Sequence, residues 1–186
     1  MSAVDASPTP VAAGTCAVRR AGAEDRPALE RMLARCTGQT RYRRFHGPVK
    51  VFPERYLTEA LSGSPLHFAL VASAVDDAVV ANAVVANAVV DDAADDRPVV
   101  ALASCRAVDE GVAELGILVE DDWQRRGVGG YLLAEIVAYA ERTGLRALQA
   151  QILADQPWIV GLLRRHGPCT IAGAGQALHV TLTLPR

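Results

Sequence analysis

The feature that most constrains this fold is an apolar segment followed closely by a glycine-rich helix start. Residues 113–119 read AELGILV and are apolar except for Glu114, a pattern typical of a central, buried strand. Residues 127–143 then place apolar side chains at helical spacing, and Gly144 ends the segment. The first N–H groups of a helix have no intrahelical partner, and glycines let an anion approach them closely. The sequence therefore predicts a strand, a turn and a helix, with an anion site at the turn.

Two common phosphate-binding motifs do not describe this turn. A Walker A loop is excluded because no Gly-Lys-Ser/Thr follows the glycines. A dinucleotide fingerprint is excluded because Leu132 stands where its last glycine is required. Arg125 and Arg126 nevertheless add two positive charges beside Gly127–Gly130. We therefore expect a pyrophosphate site at the helix start, with a tight structural turn as the alternative.

Further strands and helices alternate along the chain, and their order predicts a single mixed α/β domain. The basic segment 41–50 is interpreted as a connection between the first two helices. Strands are predicted over residues 15–19, 67–75, 99–108, 113–119, 145–153, 169–174 and 177–184. Helices are predicted over 25–36, 53–61 and 127–143, and from a cap at Asp155 to Gly167.

Two segments fall outside this pattern. Residues 1–14, rich in Ser, Pro and Ala, are predicted to be a flexible N-terminal tail of the domain at 15–186. Residues 76–98 are predicted to be an acidic insertion between two strands, because 77–91 repeat DAVVA, NAVVA and NAVVD among aspartates. Long surface loops tolerate insertion, so we expect an expanded hairpin connection. The alternative is an acidic lip for a cationic substrate.

Composition excludes several classes of function. The 186 residues suit one domain, and a formal net charge of −2 lacks the strongly basic surface of nucleic-acid-binding proteins. No apolar run approaches the length of a membrane span, and residues 1–15 have no basic residue and no compact apolar stretch, so no secretory signal is expected. The four cysteines are too far apart for a metal or redox clip. We therefore expect a reduced, cytoplasmic protein without a metal.

The turn at the helix start also resembles a family signature. It reads Gln124-Arg125-Arg126-Gly127-Val128-Gly129, which matches the pattern Gln/Arg-x-x-Gly-x-Gly/Ala of the GNAT superfamily of acyl-CoA-dependent N-acetyltransferases. The order of strands and helices is similar to that family from about Thr15 to Leu184. The resemblance implies a central, mixed and mostly antiparallel twisted sheet of about six to seven strands, flanked by about four helices. It also implies acetyl-CoA as the co-substrate.

The resemblance assigns residues to the CoA site as well. In the family, the signature loop binds the CoA pyrophosphate through backbone N–H groups, and the preceding strand binds the pantetheine arm. Gln156 stands where an asparagine often contacts the pantetheine, and Leu163 stands where many members have a tyrosine that protonates the leaving thiolate. The implied strand residues are Ile117, Leu118 and Val119, and the implied loop residues are Gln124, Arg125, Arg126, Gly127, Val128, Gly129 and Gly130.

A second resemblance concerns the amine acceptor. The S-x-x-S-x-Y-x-R-F-F segment of GNAT domains that acetylate protein lysines is similar to the pattern formed here by Thr37, Thr40, Tyr42, Arg44 and Phe45. The resemblance implies that Tyr42 and Phe45 contact the substrate. The alternative is that both aromatic side chains only fix the connection to the core.

The reaction itself requires a base and an oxyanion donor. An alkyl ammonium has a pKa of about 10.4, so it must lose a proton before its nitrogen attacks a thioester. Glu114 is the candidate base, because it shares a strand face with Leu118 and matches the glutamate of the family string A-E-F/L-x-I/V-x-V. The N–H groups of Leu118 and Val119 are candidate oxyanion donors. Asp109 and Glu110 are alternative bases, and Glu114 as a solvated carboxylate is the structural alternative.

Two functions follow from these observations. The first is an N-acetyltransferase that moves an acetyl group from acetyl-CoA to a primary amine by direct attack, with Glu114 as general base. The amine is either a protein lysine or a small molecule such as an aminoglycoside. The second is a non-catalytic, acyl-CoA-binding regulatory domain, which the missing tyrosine at Leu163 favours. We expect no nucleic-acid or membrane partner, and either a monomer or a homodimer.

Overall fold

The computed structural model describes residues 16–75, 97–173 and 175–185, which form seven strands of one sheet and five α-helices. The predicted tail at 1–14 and residues 76–96 of the predicted insertion lie outside these ranges. The strands are β1 (Cys16–Arg20), β2 (His67–Ala74), β3 (Val99–Asp109), β4 (Val112–Val119), β5 (Ala147–Leu153), β6 (Cys169–Ala172) and β7 (Ala177–Thr183). The helices are α1 (Arg26–Arg35), α2 (Gly38–Phe45), α3 (Glu54–Ala60), α4 (Val128–Arg142) and α5 (Trp158–Leu163).

The sheet is mixed and mostly antiparallel. Its strands run in the order β1-β2-β3-β4-β5-β7-β6. Among these strands, β4 and β5 form the one parallel pair, and the other neighbouring pairs are antiparallel. The predicted fold class is therefore confirmed, with the apolar strand β4 at the centre of the sheet.

Helices cover both faces of the central strands. On one face α4 buries Leu132 and Ile136 completely, as its apolar spacing predicts. On the other face α1 and α3 bury Leu29, Met32 and Leu57. Coverage on both sides explains why β4 is apolar on nearly every residue rather than on alternate ones. None of the helices in the described ranges is long and apolar enough to cross a membrane.

Helix α2 differs from the prediction, which treated 41–50 as an irregular basic connection. The side chain of Thr37 caps this helix by accepting a hydrogen bond from the Thr40 N–H group at 3.2 Å. The helix ends at His46, whose φ of 54° is left-handed. Because Thr40 is the one residue of α2 that is buried, no apolar stripe marks the helix in the sequence. The described chain therefore has five α-helices rather than about four.

The start of α5 also differs from the prediction. The helix begins at Trp158 after Pro157, and Asp155 makes no capping hydrogen bond. The Asp155 carboxylate instead accepts a hydrogen bond from Arg43 of α2 at 2.8 Å. The predicted cap is wrong because the N-cap position is occupied by Pro157, two residues after Asp155.

Candidate functional site

At the centre of the sheet, β4 and β5 pair over a short stretch and then separate, and we call the opening between them the fork. The two strands pair at Val112–Ala147, Ala113–Leu148 and Glu114–Gln149, and at no later position of the described strands. Both strands continue beyond these three pairs, β4 to Val119 and β5 to Leu153. Glu114 is therefore the last residue of β4 that pairs with β5, and the backbone beyond it has an open side facing β5.

The register with β3 decides which backbone groups face this fork. The Glu120 N–H group donates to the Val100 carbonyl at 2.9 Å. Antiparallel neighbours alternate between hydrogen-bonded and non-bonded pairs, so Leu118 also bonds to β3. The N–H groups of Ile117 and Val119 then point into the fork. The oxyanion role predicted for the Leu118 N–H group is therefore wrong, since that group is directed to β3.

The turn before α4 presents backbone N–H groups at the open end of the fork. Arg125 and Gly127 are left-handed, with φ of 58° and 86°, and these angles turn the chain sharply into the helix. A Cβ atom at Gly129 would lie 3.6 Å from Val119 Cγ2, and one at Gly130 would lie 3.7 Å from Leu162 Cδ1. Both distances are ordinary van der Waals contacts, so the glycines leave the first N–H groups of α4 unobstructed, as the predicted anion site requires.

The two arginines of the turn are exposed. Arg126 places its guanidinium over the Trp123 ring, 5.1 Å from the centroid. Arg125 is exposed as well. Their positive charges lie beside the first N–H groups of α4, where the helix dipole also favours an anion.

A hydrogen-bond network anchors this turn to α2. The Asp121 carboxylate accepts from the Thr37 N–H and hydroxyl groups at 2.8 Å each and from the Thr40 hydroxyl at 2.7 Å. Gln124 Nε2 donates to Thr40 Oγ1 and to the Val119 carbonyl, both at 3.1 Å. The Gln124 side chain therefore positions the turn relative to β4. The two hydroxyls of the acceptor motif serve the same network.

Asp121 was not predicted from the sequence. Burial alone raises the pKa of Asp121, but hydrogen bonds from the Thr37 N–H and from the two threonine hydroxyls outweigh burial and leave its pKa below the usual value. The only trace of this contact in the sequence is the pair of hydroxyl residues Thr37 and Thr40, at the N-cap and in the first turn of α2.

A cleft of about 390 Å³ lies on the sheet face that carries Glu114. The Glu114 carboxylate is about half exposed and accepts a hydrogen bond from Arg106 Nη2 at 2.6 Å. A second cleft of about 400 Å³ begins on the other side of Glu114 and follows β5, β7 and β6. Glu114 thus lies at the fork and between both clefts. The first cleft is lined by Arg44, Pro53, Arg55, Tyr56, Glu59, His67, Ser104, Arg106, Glu114, Leu115 and Gly116.

The predicted acceptor residues do not line either cleft. The ring of Phe45 packs edge-on against Phe52 and Tyr56, with 5.8 Å between centroids in each case. This position favours the alternative in which Phe45 fixes α2 to the core. Tyr42 is exposed on α2, and a substrate contact for it stays a prediction. The cleft residues Tyr56, His67, Ser104 and Arg106 were missed, since no local motif joins them.

The remaining predicted residues, Gln156 and Leu163, lie in the segment that follows β5. Gln156 follows β5, and its N–H group donates to the Leu153 carbonyl at 2.9 Å. Its contact with the pantetheine stays a prediction. Leu163 is 2% exposed and has no ionisable group, so the position of the family tyrosine is filled by core packing. The described residues contain no cluster of His, Cys, Asp and Glu that would hold a metal ion.

Comparisons with known proteins agree with this geometry. Residues 59–167, more than half of the chain, match the model of a family described as the acetyltransferase (GNAT) family. Among solved structures, the GNAT domain of S. lividans PAT superposes with a TM-score of 0.70 at 17% identity. That match covers 95% of this chain and 100% of that domain. No curated protein matches the chain significantly.

Two further structures are similar. The ribosomal-protein-S18-alanine N-acetyltransferase from Escherichia coli has a TM-score of 0.58 at 18% identity, over 91% of this chain and 93% of that chain. A cAMP-binding acyltransferase from Mycobacterium smegmatis has a TM-score of 0.56 at 21% identity, over 96% of this chain and 47% of that chain. At such identities these likenesses establish the fold alone.

Proposed function

Because the chain belongs to the GNAT acetyltransferase family, we propose that it transfers an acetyl group from acetyl-CoA to a primary amine. The observation that carries this proposal is the fork between β4 and β5, which has the glycine-rich start of α4 at its open end and Glu114 at its closed end. Such an arrangement brings a thioester donor and an ionisable side chain to one strand.

The donor half of the proposal assigns roles to the turn and to β4. The N–H groups of Val128–Gly130 would bind the pyrophosphate, with Arg125 and Arg126 adding positive charge. Ile117 and Val119, whose N–H groups face the fork, would bind the pantetheine arm and stabilise the developing oxyanion. Acetyl-CoA supplies the activated acetyl group when it is bound.

The acceptor half of the proposal makes Glu114 the general base. Its carboxylate accepts a proton from the ammonium group of the acceptor, either directly or through a water molecule. The ion pair with Arg106 orients this carboxylate while leaving it about half exposed to the cleft. Asp109 ends β3 and Glu110 lies in the β3–β4 turn, so both are at the end of β4 opposite the fork and are weaker candidates.

A second candidate function is supported by two observations. The Glu114 carboxylate is already engaged by Arg106 at 2.6 Å, and the position of the family tyrosine is the apolar Leu163. Both fit an acyl-CoA-binding domain that does not catalyse transfer.

One experiment separates these functions. Acetyl-CoA binding is measured by calorimetry, and free thiol release is measured with a panel of small amines and lysine peptides. Binding together with amine-dependent thiol release supports the acetyltransferase. Binding without release for any amine supports the regulatory domain, and absence of acetyl-CoA binding contradicts both.

A further inference from the structure

The first cleft contains a row of charged and polar side chains from neighbouring strands. His67 of β2 lies opposite Arg106 of β3, and Arg106 lies opposite Glu114 of β4. Residues in direct register on adjacent strands point to the same sheet face. In the adjacent row, Ser104 of β3 lies opposite Gly116 of β4. The two rows together form the floor of the cleft.

His67 is a buried imidazole without a hydrogen-bond partner. It is 3% exposed, and neither ring nitrogen has a partner among the described residues. Burial lowers the pKa of His67, so the ring is neutral near pH 7 and carries one N–H donor and one acceptor, both of them buried beside the cleft that the residue lines. The groups that face it are Arg44 of α2, Tyr56 and Glu59 of α3, Arg106 of β3 and Glu114 of β4.

The arginines of the cleft differ in their partners. Arg106 pairs with Glu114 at 2.6 Å, and Arg55 pairs with Glu59 at 2.7 Å. Within the described part of the chain, Arg44 contacts neutral groups instead. The cleft therefore carries one cation that no carboxylate of its lining neutralises.

Arg44 is held in place over the floor of the cleft. Its Nη2 atom donates to the Tyr56 hydroxyl at 3.0 Å, and its guanidinium carbon lies 5.0 Å from the ring centroids of Phe45 and Tyr56. The guanidinium occupies the space directly above Gly116, where a Cβ atom would overlap it. The Tyr56 hydroxyl is also within 3.0 Å of Ser104 Oγ. Stacking, hydrogen bonding and the glycine below thus fix this cation.

We propose that the acceptor is a primary amine that also carries a carboxylate, in the manner of an amino acid. Arg44 binds the carboxylate, the His67 ring donates to it, and Glu114 receives the ammonium group. Residues two apart on one strand face are separated by about 7 Å, which suits an amine and a carboxylate joined by a short carbon chain. This inference rests on the proposed function, since it names the class of amine that the transferase accepts.

The test measures acceptor binding separately from turnover. Matched pairs of amines with and without a carboxylate, β-alanine against propylamine and ornithine against putrescine, are titrated by calorimetry into the protein saturated with CoA. We expect the carboxylate member of each pair to bind at least tenfold more tightly. Equal binding, or tighter binding of the carboxylate-free member, overturns the inference whether or not the protein catalyses transfer.

Two variants identify the side chains responsible. Arg44→Gln is expected to bring the two members of each pair to within about twofold of each other. His67→Phe is expected to reduce the preference while keeping a ring in the same space. Arg31→Gln, which removes the same charge from an exposed position of α1, is the matched control. A preference that survives in both Arg44→Gln and His67→Phe, with melting temperatures near that of the unmodified protein, overturns the assignment.

Turnover is read in parallel with the same amines and acetyl-CoA. Thiol release that is faster with the carboxylate member supports both the proposed function and this inference. Release that is equal for both members keeps the proposed function and overturns the inference. Tighter binding of the carboxylate member without release from any amine overturns the transferase and keeps the assigned site.

Discussion

Arg106 and Glu114 lie directly opposite each other on β3 and β4, and their side chains form an ion pair of 2.6 Å at the fork of the sheet. The guanidinium holds the carboxylate between the two clefts without burying it. The carboxylate is thereby oriented toward the place where an acceptor would meet the open backbone of β4.

Replacing Glu114 with Gln should separate binding from catalysis. The amide keeps the shape and a hydrogen bond to Arg106 but cannot accept the proton, so turnover should fall by about 10²–10⁴ at neutral pH. The loss should shrink toward pH 9.5, because more of the amine is then already neutral. The measurement is kcat/KM of both proteins from pH 6.5 to 9.5, with acetyl-CoA affinity from calorimetry.

Glu30→Gln, an exposed change on α1, is the control for that series. A large loss in Glu110→Gln but not in Glu114→Gln would move the base to the β3–β4 turn. Parallel pH profiles with equal rates would leave Glu114 as a solvated carboxylate.

Replacing Gly129 with Glu should weaken the anion site at α4. The added carboxylate repels pyrophosphate and fills the space that glycine leaves open, so CoA affinity should fall at least tenfold. The fold should survive, since a Cβ atom there makes only ordinary contact with Val119. Gly161→Glu, on α5 where a Cβ atom meets no neighbour, is the matched control. Unchanged CoA affinity in Gly129→Glu would remove the proposed donor site.

Replacing Asp121 with Ala should loosen the turn from α2. Three hydrogen bonds to a charged acceptor are lost, so the free energy of unfolding should fall by about 1–3 kcal/mol, and acetyl-CoA affinity should fall with it. Asp122→Ala, at the exposed neighbouring position, should change neither quantity. Chemical denaturation and calorimetry measure the two effects, and equal results for both variants would contradict the anchoring role.

The buried imidazole of His67 predicts an acid-sensitive stability. Burial lowers its pKa in the folded protein, whereas the unfolded chain binds a proton near pH 6.5. Its contribution to stability is therefore complete above about pH 6.5 and is lost as the pH falls, by at most about 1.4 kcal/mol per pH unit. Denaturation at pH 7.5, 6 and 5 should show a smaller loss for His67→Phe than for the unmodified protein. An equal loss in both, with His179→Gln as the exposed control, would contradict this account.

The sequence predicted best those strands and helices whose apolar pattern lies within one continuous segment. β4 and α4 were expected near their observed bounds because their apolar patterns span the whole element. Helix α2 was missed because a polar helix has no such pattern and depends on the cap at Thr37. Glu114 was singled out because it shares a strand face with Leu118 and matches the family string, and its role as the base stays a prediction.

The first cleft could not be predicted from the sequence, for a different reason. His67, Arg106 and Glu114 become neighbours through strand register, which no single segment encodes. The contacts of Asp121 with Thr37 and Thr40 likewise cross more than eighty positions of the chain. The same register directs the Leu118 N–H group to β3 and the Val119 N–H group to the fork. The prediction had assigned both groups to the oxyanion, although adjacent residues of a strand direct their N–H groups to opposite sides.

The parting of β4 and β5 gives this protein two unpaired strand edges in the interior of its sheet. Unpaired edges are the feature by which sheets add strands from other chains and aggregate. A ligand lying in the fork would cover both edges, and a ligand at one hundred times its Kd would add about 2.7 kcal/mol to the stability of the folded state. Ligand occupancy would then govern not only activity but also how long the protein stays monodisperse at high concentration.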